Sequence, residues 1–353
     1  MKNTQTLSWK RLLGFSLVSV AIGVLVTVAI LLGQYQDFKK LPLSVTEPGV
    51  VYEVAAGTSL KQLAIDLQRR GITEHPRYLI WLGRELDLDH RLQAGEYEIS
   101  PGMTPESLLR KLSDGEVIQH AITLIEGQTF KEMLAVIKAK DDIVHTLDGV
   151  SVDEIMTQLG HLGENPEGRF LPDTYHFPQG TTDLAFLTRA YNAMERHLAE
   201  AWAARDEGLP LNTPYEALIL ASIVEKETGV AGERPVIAGV FIRRLQKGMR
   251  LQTDPTVIYG LGERFDGNLR ASDLRSDTPY NTYTRDGLPP TPIAMPGAAS
   301  IHAVLHPDKG DALFFVANGS GGHYFSRTLK EHEIAVQKFQ LGKSVSLPPQ
   351  PDQ

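Results

Sequence analysis

The first strong pattern in the chain is an unbroken apolar stretch near its N-terminus. No charged residue occurs from Leu12 to Gly33, and most positions there are Leu, Val, Ile or Ala. A helix of this length crosses the roughly 30 Å hydrocarbon layer of a bilayer. A cleaved signal peptide has only ~7–15 apolar residues before a small-residue cleavage site. The pattern therefore predicts an uncleaved transmembrane helix at 12–33 after a short stub at 1–11.

The charges that flank this stretch indicate its orientation. Lys2, Lys10 and Arg11 precede it, whereas Lys39 and Lys40 follow it. Positive charge is enriched on the cytoplasmic side of membrane spans. The small excess before the stretch predicts a cytoplasmic N-terminus and places the body of the chain outside the cytoplasm.

Beyond a proline-containing linker at 34–49, hydrophobic residues recur at strand and helix spacing. The predicted elements are a strand at Val50–Val54, a helix capped by Ser59, a helix at Pro76–Leu86 and a strand at Glu96–Ile99. This order predicts a small βααβ subdomain at 50–118. A glycine turn followed by a hydroxyl cap also recurs at Gly57, Gly102 and Gly127. Either an internal repeat or ordinary strand-to-helix turn chemistry explains that recurrence.

The remainder of the chain mixes helix and strand patterns without a regular βαβ rhythm. This predicts a larger α+β domain at 119–343, followed by a polar, proline-rich and disordered tail at 344–353. The predicted fold class is therefore α+β, with one N-terminal transmembrane helix, a small βααβ subdomain and a larger α+β domain.

Composition narrows the classes of function. The 353 residues carry a formal net charge of -8 and no long basic run, so we expect no nucleic-acid partner. The absence of cysteine excludes disulfides, thiolate nucleophiles and cysteine-based zinc sites. Only His302 and His306 have the i, i+4 spacing of a helical metal site, and Pro307 interrupts the helix after them. We therefore expect no metal and no cofactor.

The strongest chemical candidate is the segment TPYEALILASIVEKETG at Thr213–Gly229. Thr213 and Pro214 are typical of a helix start, and Glu216 is placed to close a capping box. Apolar residues from Leu218 to Val224 then run nearly all round the helix, which predicts a buried helix.

Glu225 follows directly at the end of this apolar helix. A carboxyl group held against an apolar wall resists ionisation and suits general acid catalysis. The alternative is a solvated helix end formed by Glu225, Lys226 and Glu227, and the residues alone favour that alternative. Glu227 lies about 200° round the helix from Glu225, so we expect the two carboxyl groups on different faces.

Two polar segments are candidates for a sugar-binding groove. Gln252 and Thr253 precede a helix that begins near Asp254, and a proline-rich passage at 278–297 contains aromatic rings and an amide. A rigid covering loop explains that passage equally well. Ser222, one turn before Glu225, either binds that carboxyl or packs. The candidate substrate-binding residues are Ser222, Gln252, Thr253, Asp254, Tyr280, Asn281 and Tyr283.

With these motifs the sequence resembles the endolytic murein transglycosylase family, also called YceG-like, over nearly its whole length. The motifs that carry the resemblance are LPDTY at Leu171–Tyr175, ASIVEKET at Ala221–Thr228, RLQTDPTVIYGLG at Arg250–Gly262, YNTY at Tyr280–Tyr283, GLPP at Gly287–Pro290 and GGHYFS at Gly321–Ser326.

The resemblance implies a lyase that cuts nascent peptidoglycan glycan strands between N-acetylmuramic acid and N-acetylglucosamine and leaves 1,6-anhydro ends. It implies a single catalytic glutamate, which maps onto Glu225 and so overrides the solvated-end alternative. It also implies an inner-membrane anchor, a periplasmic body, a LysM-like subdomain at 50–118 that binds glycans, and a role beside peptidoglycan synthases, the penicillin-binding proteins.

Three positions depart from the family pattern. Thr291 stands where the family often has Gly, Met295 where it usually has Asn, and Glu333 where it has Asn. These departures leave open the glycan contacts made from those positions. Two rival functions also stay open: a muramidase-type hydrolase that pairs Glu225 with Asp254 or another carboxylate, and a membrane-tethered, non-catalytic peptidoglycan-binding scaffold.

Overall fold

The structure, a computed structural model, describes residues 9–350, with side chains described from residue 15 onward. The predicted N-terminal stub therefore lies largely outside the described residues. The chain divides into two units, the first ending at His120 and the second beginning at Ala121.

The apolar N-terminal stretch forms one continuous helix, α1, at Trp9–Lys40. Its segment Phe15–Lys40 is long and apolar enough to cross a membrane, and none of its most apolar part is buried within the protein. Among residues 9–350 it is the one helix with this property. The observed helix runs past Gly33, where the predicted span ends.

The segment at 34–49 differs from the linker that the sequence predicts. Tyr35 and Phe38 on the last turns of α1, and Leu43 just after it, are buried in the core of the first unit. The backbone N–H of Leu43 also donates to the carbonyl of Met103 at 2.8 Å. Because these apolar residues share one side of the helix end, they pack instead of remaining in solvent.

The first unit contains the predicted βααβ order and one further helix. Its elements after α1 are β1 at Val50–Val54, α2 at Leu60–Arg69, α3 at Pro76–Glu85, β2 at Gly95–Ile99 and α4 at Pro105–Asp114. Strands β1 and β2 pair antiparallel, with Val50 opposite Ile99. The predicted cap by Ser59 is present at the start of α2, where Ser59 and Gln62 form a capping box.

The second unit is built mainly from helices with two small sheets. Its elements are β3 at Gln119–Thr123, α5 at Phe130–Lys138, α6 at Val152–Gln158, β4 at Thr174–Pro178, α7 at Asp183–Ala203, α8 at Pro214–Glu227, α9 at Arg234–Gln246, α10 at Asp254–Leu261, α11 at Ala271–Arg275, α12 at Ala298–Leu305, β5 at Phe314–Ala317, β6 at His323–Ser326 and α13 at Leu329–Phe339. Strand β3 pairs with β4, and β5 pairs antiparallel with β6. The chain is thus a mixed helix and sheet protein, as predicted.

Helix α8 is the centre of the larger core of this unit. Every residue from Ala217 to Val224 is buried, and α7, α9 and α12 pack around the helix. An apolar surface that continues round a helix has to be covered on all sides, which three neighbouring helices achieve here.

The last described residues also differ from the sequence prediction. Leu347 packs against the small core of Val316 and Tyr324, and the Tyr324 hydroxyl donates to the carbonyl of Pro348. Residues 344–350 therefore lie against β6 instead of forming a disordered tail, and residues 351–353 lie outside the described part of the chain.

A buried carboxylate fixes the start of α7. Asp183, 5% exposed, accepts hydrogen bonds from the backbone N–H groups of Thr146 and Leu147, each at 3.0 Å. Burial opposes ionisation of Asp183, but these bonds and that of the Thr146 hydroxyl outweigh burial and lower its pKa. The charged side chain therefore ties the 146–147 loop to the helix.

We expect Asp183→Asn to lower the free energy of unfolding by about 1–3 kcal/mol, because donors would lose a charged acceptor. This contribution is complete above the unfolded-state pKa of about 3.9 and is lost as pH falls through the lower folded-state pKa. Urea unfolding at pH 7 and in acid measures both effects. Asp141→Asn, in an exposed loop position, is the matched control. Equal stabilities of the two variants would contradict this role.

Candidate active site

The start of α8 follows the sequence prediction in part. The Thr213 hydroxyl accepts the N–H of Glu216 at 3.2 Å, and Pro214 occupies the first turn. The Glu216 carboxylate binds the N–H of Asn212 at 2.7 Å, so it does not close the predicted box on Thr213. The cap and the buried stem fix where the other end of α8 emerges.

Glu225 leaves the end of α8 toward α12. Its side chain is 6% exposed and its carboxylate accepts hydrogen bonds from the N–H of Gly297 at 3.0 Å and from the Ser300 hydroxyl at 2.7 Å. The guanidinium of Arg234 adds a third donor at 3.3 Å and a positive charge. Glu225 is therefore buried, as expected for the predicted acid. However, polar donors surround its carboxylate where the sequence predicts an apolar wall.

Glu227 leaves the same helix end in another direction, as the 200° separation predicts. Its carboxylate accepts a hydrogen bond from the Thr253 hydroxyl, and it lines a cavity of about 420 Å³. Burial raises its pKa above the ordinary value, and the nearby Asp254 raises it further, against the hydrogen bond from Thr253. Glu227 thus combines partial burial, a raised pKa and access to a cavity.

Four of the seven predicted substrate-binding residues line this same cavity. They are Gln252, Thr253, Asp254 and Tyr283. The Tyr283 hydroxyl donates to Asp254 at 2.6 Å, and burial together with this bond raises the pKa of Tyr283. The cavity has a size typical of ligand pockets, which occupy about 300–1,000 Å³.

Two other predicted residues, Ser222 and Asn281, are fully buried and brace the backbone. Ser222 donates to the carbonyl of Ile219 at 2.7 Å and accepts the N–H of Ile293 at 3.0 Å, and the structure gives it no bond to Glu225. The Asn281 amide donates to the carbonyl of Ser276 at 2.7 Å and its oxygen accepts the N–H of Tyr283. Each side chain thus satisfies buried backbone groups, and a contact of either residue with substrate stays a prediction.

Tyr280, the seventh candidate, is partly buried away from the lining of the Glu227 cavity. Its hydroxyl lies 2.9 Å from that of Thr291, and its ring packs edge-on against Tyr259 at 4.9 Å. Thr291, one of the departures from the family pattern, therefore holds Tyr280 in place. A second departure, Met295, is buried and exchanges backbone hydrogen bonds with Gly127 and Gln128.

The loop at 278–297 is joined to the start of α10 by Thr282. Its carbonyl accepts the N–H of Gln252 at 3.2 Å, and its hydroxyl accepts the N–H of Thr253 at 3.1 Å. Gln252 itself has a φ of +50°, a backbone conformation that residues other than glycine rarely adopt. A strained backbone of this kind persists where the contacts around it hold the chain in place, and it is common at functional sites.

Two residues that the sequence reasoning missed also line the Glu227 cavity. Arg244, 7% exposed, donates to the carbonyls of Leu251 at 2.6 Å and Leu313 at 2.8 Å. His323 directs its Nδ1 at Glu233, 2.8 Å away, which holds the imidazole at the cavity. The sequence signal for His323 was its place in the GGHYFS motif, but Arg244 carried no local signal.

A second, larger cavity of about 910 Å³ lies beside Lys226 and α10. Glu167, 5% exposed, lines it, and burial raises the pKa of Glu167 to about 7. Its carboxylate accepts bonds from the N–H of Phe130 at 3.0 Å and the hydroxyl of Tyr259 at 3.1 Å. No local sequence pattern marks Glu167 as a candidate.

The residues that the structure describes contain no group of three or more His, Cys, Asp or Glu side chains able to hold a metal ion. His302 and His306, the one pair with helical spacing, have ring centres 4.6 Å apart. The Nδ1 of His306 lies 2.9 Å from Asp206, so that imidazole is held by a carboxylate.

The profile of the YceG-like family matches residues 52–338. The chain belongs to the YceG-like family. It is 31% identical over 312 residues to a protein of Bacillus subtilis named endolytic murein transglycosylase, covering 82% of this chain and 85% of that protein. A Streptococcus pneumoniae protein of the same name is 27% identical over 324 residues, which are 81% of this chain and 58% of that protein.

The family assignment extends to a solved structure. A YceG-like protein of Listeria monocytogenes is 29% identical, with a TM-score of 0.53, and the match covers 82% of this chain and 99% of that one. The matched profile includes α8, the start of α10 and the loop at 278–297, which line the Glu227 cavity together with residues of α9, β5, β6 and α13. The resemblance predicted from the sequence motifs is confirmed.

We expect Thr253→Val to raise the pKa of Glu227 further, because the hydroxyl that stabilises its charged form is removed. A ¹³C NMR titration of the glutamate side-chain carboxyls, with Glu227 assigned by its loss in Glu227→Gln, measures the change. Thr253→Ser keeps the hydroxyl and is the matched control, expected to titrate like the unaltered protein. Identical titration of the Val and Ser variants would show that this hydrogen bond does not control Glu227.

Proposed function

We propose that this protein is a peptidoglycan lytic transglycosylase that cuts glycan strands internally, with Glu227 as its general acid and base. The observation that carries the proposal is a partly buried carboxyl group, with its pKa raised, on the wall of a cavity. The names of the Bacillus and Streptococcus relatives support the same reaction.

In this proposal, protonated Glu227 donates its proton to the glycosidic oxygen between N-acetylmuramic acid and N-acetylglucosamine. The bond from that oxygen to C1 of the muramic acid breaks. The resulting carboxylate then takes the proton from the C6 hydroxyl, whose oxygen bonds to C1 and forms the 1,6-anhydro ring. No water is consumed, and Glu227 ends the cycle protonated again.

A single carboxylic acid suffices for this reaction because the substrate supplies its own nucleophile. Hydrolytic glycosidases use two carboxylates, at about 5–5.5 Å or about 6.5–9.5 Å according to stereochemistry. A positioned intramolecular hydroxyl reacts at high effective concentration and replaces the second group. The raised pKa of Glu227 favours its protonated form, the form that donates the proton.

We prefer Glu227 to Glu225, the residue that the sequence predicts, because of what each carboxylate contacts. Glu225 already binds Ser300, Gly297 and Arg234, so its oxygens are engaged within the protein. Glu227 has the Thr253 hydroxyl as its hydrogen-bond partner and lies on the cavity wall. Glu225 then serves to join α8 to the start of α12.

The rest of the chain supports a membrane-bound form of this enzyme. We infer that α1 anchors the protein in the inner membrane with its N-terminus in the cytoplasm and its body in the periplasm. The βααβ order at 50–99 supports a LysM-like, glycan-binding role for the first unit. Nascent strands beside penicillin-binding proteins are the expected substrates.

We expect Glu227→Gln to lower the rate of strand cleavage by about 10²–10⁴-fold or more, because the amide cannot transfer the proton. Purified peptidoglycan glycan strands, digested by the purified full-length protein and separated by length, measure cleavage. Glu225→Gln is the matched variant, two residues away on the same helix. It should retain cleavage within about tenfold and lower stability by about 1–3 kcal/mol.

The reverse result would overturn the assignment to Glu227. If Glu225→Gln abolishes cleavage while folded protein remains and Glu227→Gln cleaves normally, Glu225 is the acid. If the unaltered protein cleaves no strands, a non-catalytic peptidoglycan-binding scaffold is the better description. Circular dichroism of both variants ensures that a loss of cleavage does not reflect unfolding.

A muramidase-type hydrolase is a second candidate, because Asp254 lines the same cavity as Glu227 and supplies a second carboxylate. The two reactions leave different ends. Transglycosylation gives anhydro ends, which are lighter than the reducing ends of hydrolysis by one water. We expect mass spectrometry to find anhydro ends in the products of the unaltered protein.

Asp254→Asn separates the two candidates further. The transglycosylase does not require a second carboxylate, so we expect anhydro products to persist, with cleavage reduced by about tenfold or less through loss of the charged partner of Tyr283. Reducing ends from the unaltered protein, and their disappearance in Asp254→Asn, would favour the hydrolase.

A further inference from the structure

The end of α1 is fixed rigidly to the first unit. The Tyr35 hydroxyl donates to Glu85, and the ammonium of Lys39 lies 3.0 Å from the same carboxylate. The Tyr78 hydroxyl donates to the Gln34 side chain at 3.2 Å. With Phe38 buried in the core as well, α3 is held beside the last turns of α1. A membrane that contains α1 therefore meets α3 at a defined height.

That height follows from helix geometry. The apolar stretch of α1 ends at Gly33, and each further residue adds about 1.5 Å along the axis. Tyr35 therefore lies about 3 Å beyond the apolar stretch. The ring of Trp81 on α3 packs edge-on against Tyr35, with 6.2 Å between ring centres. It also packs in a tilted arrangement against Tyr78, with 5.9 Å between ring centres. Trp81 is thus at the level where the hydrocarbon of a bilayer gives way to headgroups.

The exposed face of α3 has the chemistry of such a boundary. Arg77, Trp81 and Arg84 are spaced i, i+4 and i+7, so they share one face, and all three are exposed. Trp81 is 52% exposed, which is unusual for so large an apolar ring. Leu79 and Leu82 on the opposite face are fully buried. The one acidic residue of the helix, Glu85, is paired with Lys39.

We propose that this face of α3, defined by Arg77, Trp81 and Arg84, lies in the headgroup layer of the membrane that contains α1. Tryptophan partitions to this layer because its ring is amphipathic, and arginine interacts there with anionic lipid phosphates. The surface adjoins the membrane-spanning helix, so the lipid bilayer is the occupant that its position and charge favour. The inference rests on the anchoring role of α1 that is part of the proposed function.

Quenching of tryptophan fluorescence by brominated lipids tests this placement in the full-length protein. Trp9→Phe and Trp202→Phe leave Trp81 as the one tryptophan. In vesicles that contain anionic lipid, we expect a large loss of Trp81 emission with bromines near the headgroup. Bromines near the chain end should cause a smaller loss.

A reporter in the same background, with Trp81 replaced by Phe, provides the matched control. Ile22→Trp, in the middle of the apolar stretch, should be quenched most by the deep bromines. Free N-acetyltryptophanamide in the same vesicle suspension is the solvent reference. If Ile22→Trp is quenched while Trp81 behaves like the solvent reference, the surface assignment is wrong and the anchor stands. If neither Trp81 nor Ile22→Trp is quenched, both the surface assignment and the membrane anchor are wrong. The proposed enzymatic activity is tested separately, by strand cleavage.

A second experiment tests the contribution of the arginine charges on this face. Arg77→Glu combined with Arg84→Glu should reduce the headgroup-level quenching of Trp81 in anionic vesicles, because repulsion from lipid phosphates replaces attraction. The quenching of Ile22→Trp with the same two changes should not alter. Unchanged quenching of Trp81 would overturn the assignment of this face to anionic headgroups.

Discussion

The candidate site depends on the burial of helix α8 on all of its sides. Because α7, α9 and α12 cover the apolar stem, the helix can neither rotate nor slide without exposing apolar surface. Its last turn then emerges with three charged residues in a row. Successive residues on a helix point about 100° apart. Packing of the stem therefore decides where each of the three charged side chains goes.

The three side chains reach three different surroundings. Glu225 meets donors at the start of α12, Lys226 donates to the carbonyl of Gly127 at 3.1 Å, and Glu227 reaches the cavity wall. The two carboxylates are chemically identical, so the different roles proposed for them follow from these contacts. A carboxylate enclosed by a guanidinium, a hydroxyl and an N–H group holds elements together. A carboxyl group whose pKa is raised by burial, with a cavity in front of it, suits proton transfer.

The parts of the fold that the sequence predicted well are those determined within a few residues. The caps at Ser59 and Thr129 and the buried stem of α8 depend on local spacing, and each is present. The choice between Glu225 and Glu227 was not available locally, because two of the three donors to Glu225, Gly297 and Ser300, come more than seventy residues later in the chain. Sequence reasoning could place both carboxyls on different faces, but it could not say which face met a cavity.

The same limit explains the polar residues that were assigned to substrate. Ser222 and Asn281 look available in a sequence, yet both are buried and satisfy backbone groups brought to them by the fold. The supposed linker failed for a related reason. Tyr35 and Phe38 occur in a segment with prolines, and only the packing of the first unit reveals that they are part of its core.

The loop at 278–297 connects these observations, since it binds Glu225 directly and is linked to Glu227 through Thr253. Near its start, the Thr282 hydroxyl accepts the N–H of Thr253, whose own hydroxyl binds Glu227. At its end, the N–H of Gly297 binds Glu225. The loop therefore holds the end of α8 from two sides, and a shift at either end moves a carboxyl group. This explains physically why motifs far apart in the sequence belong to one site: they form a single hydrogen-bonded unit around the last turn of one buried helix.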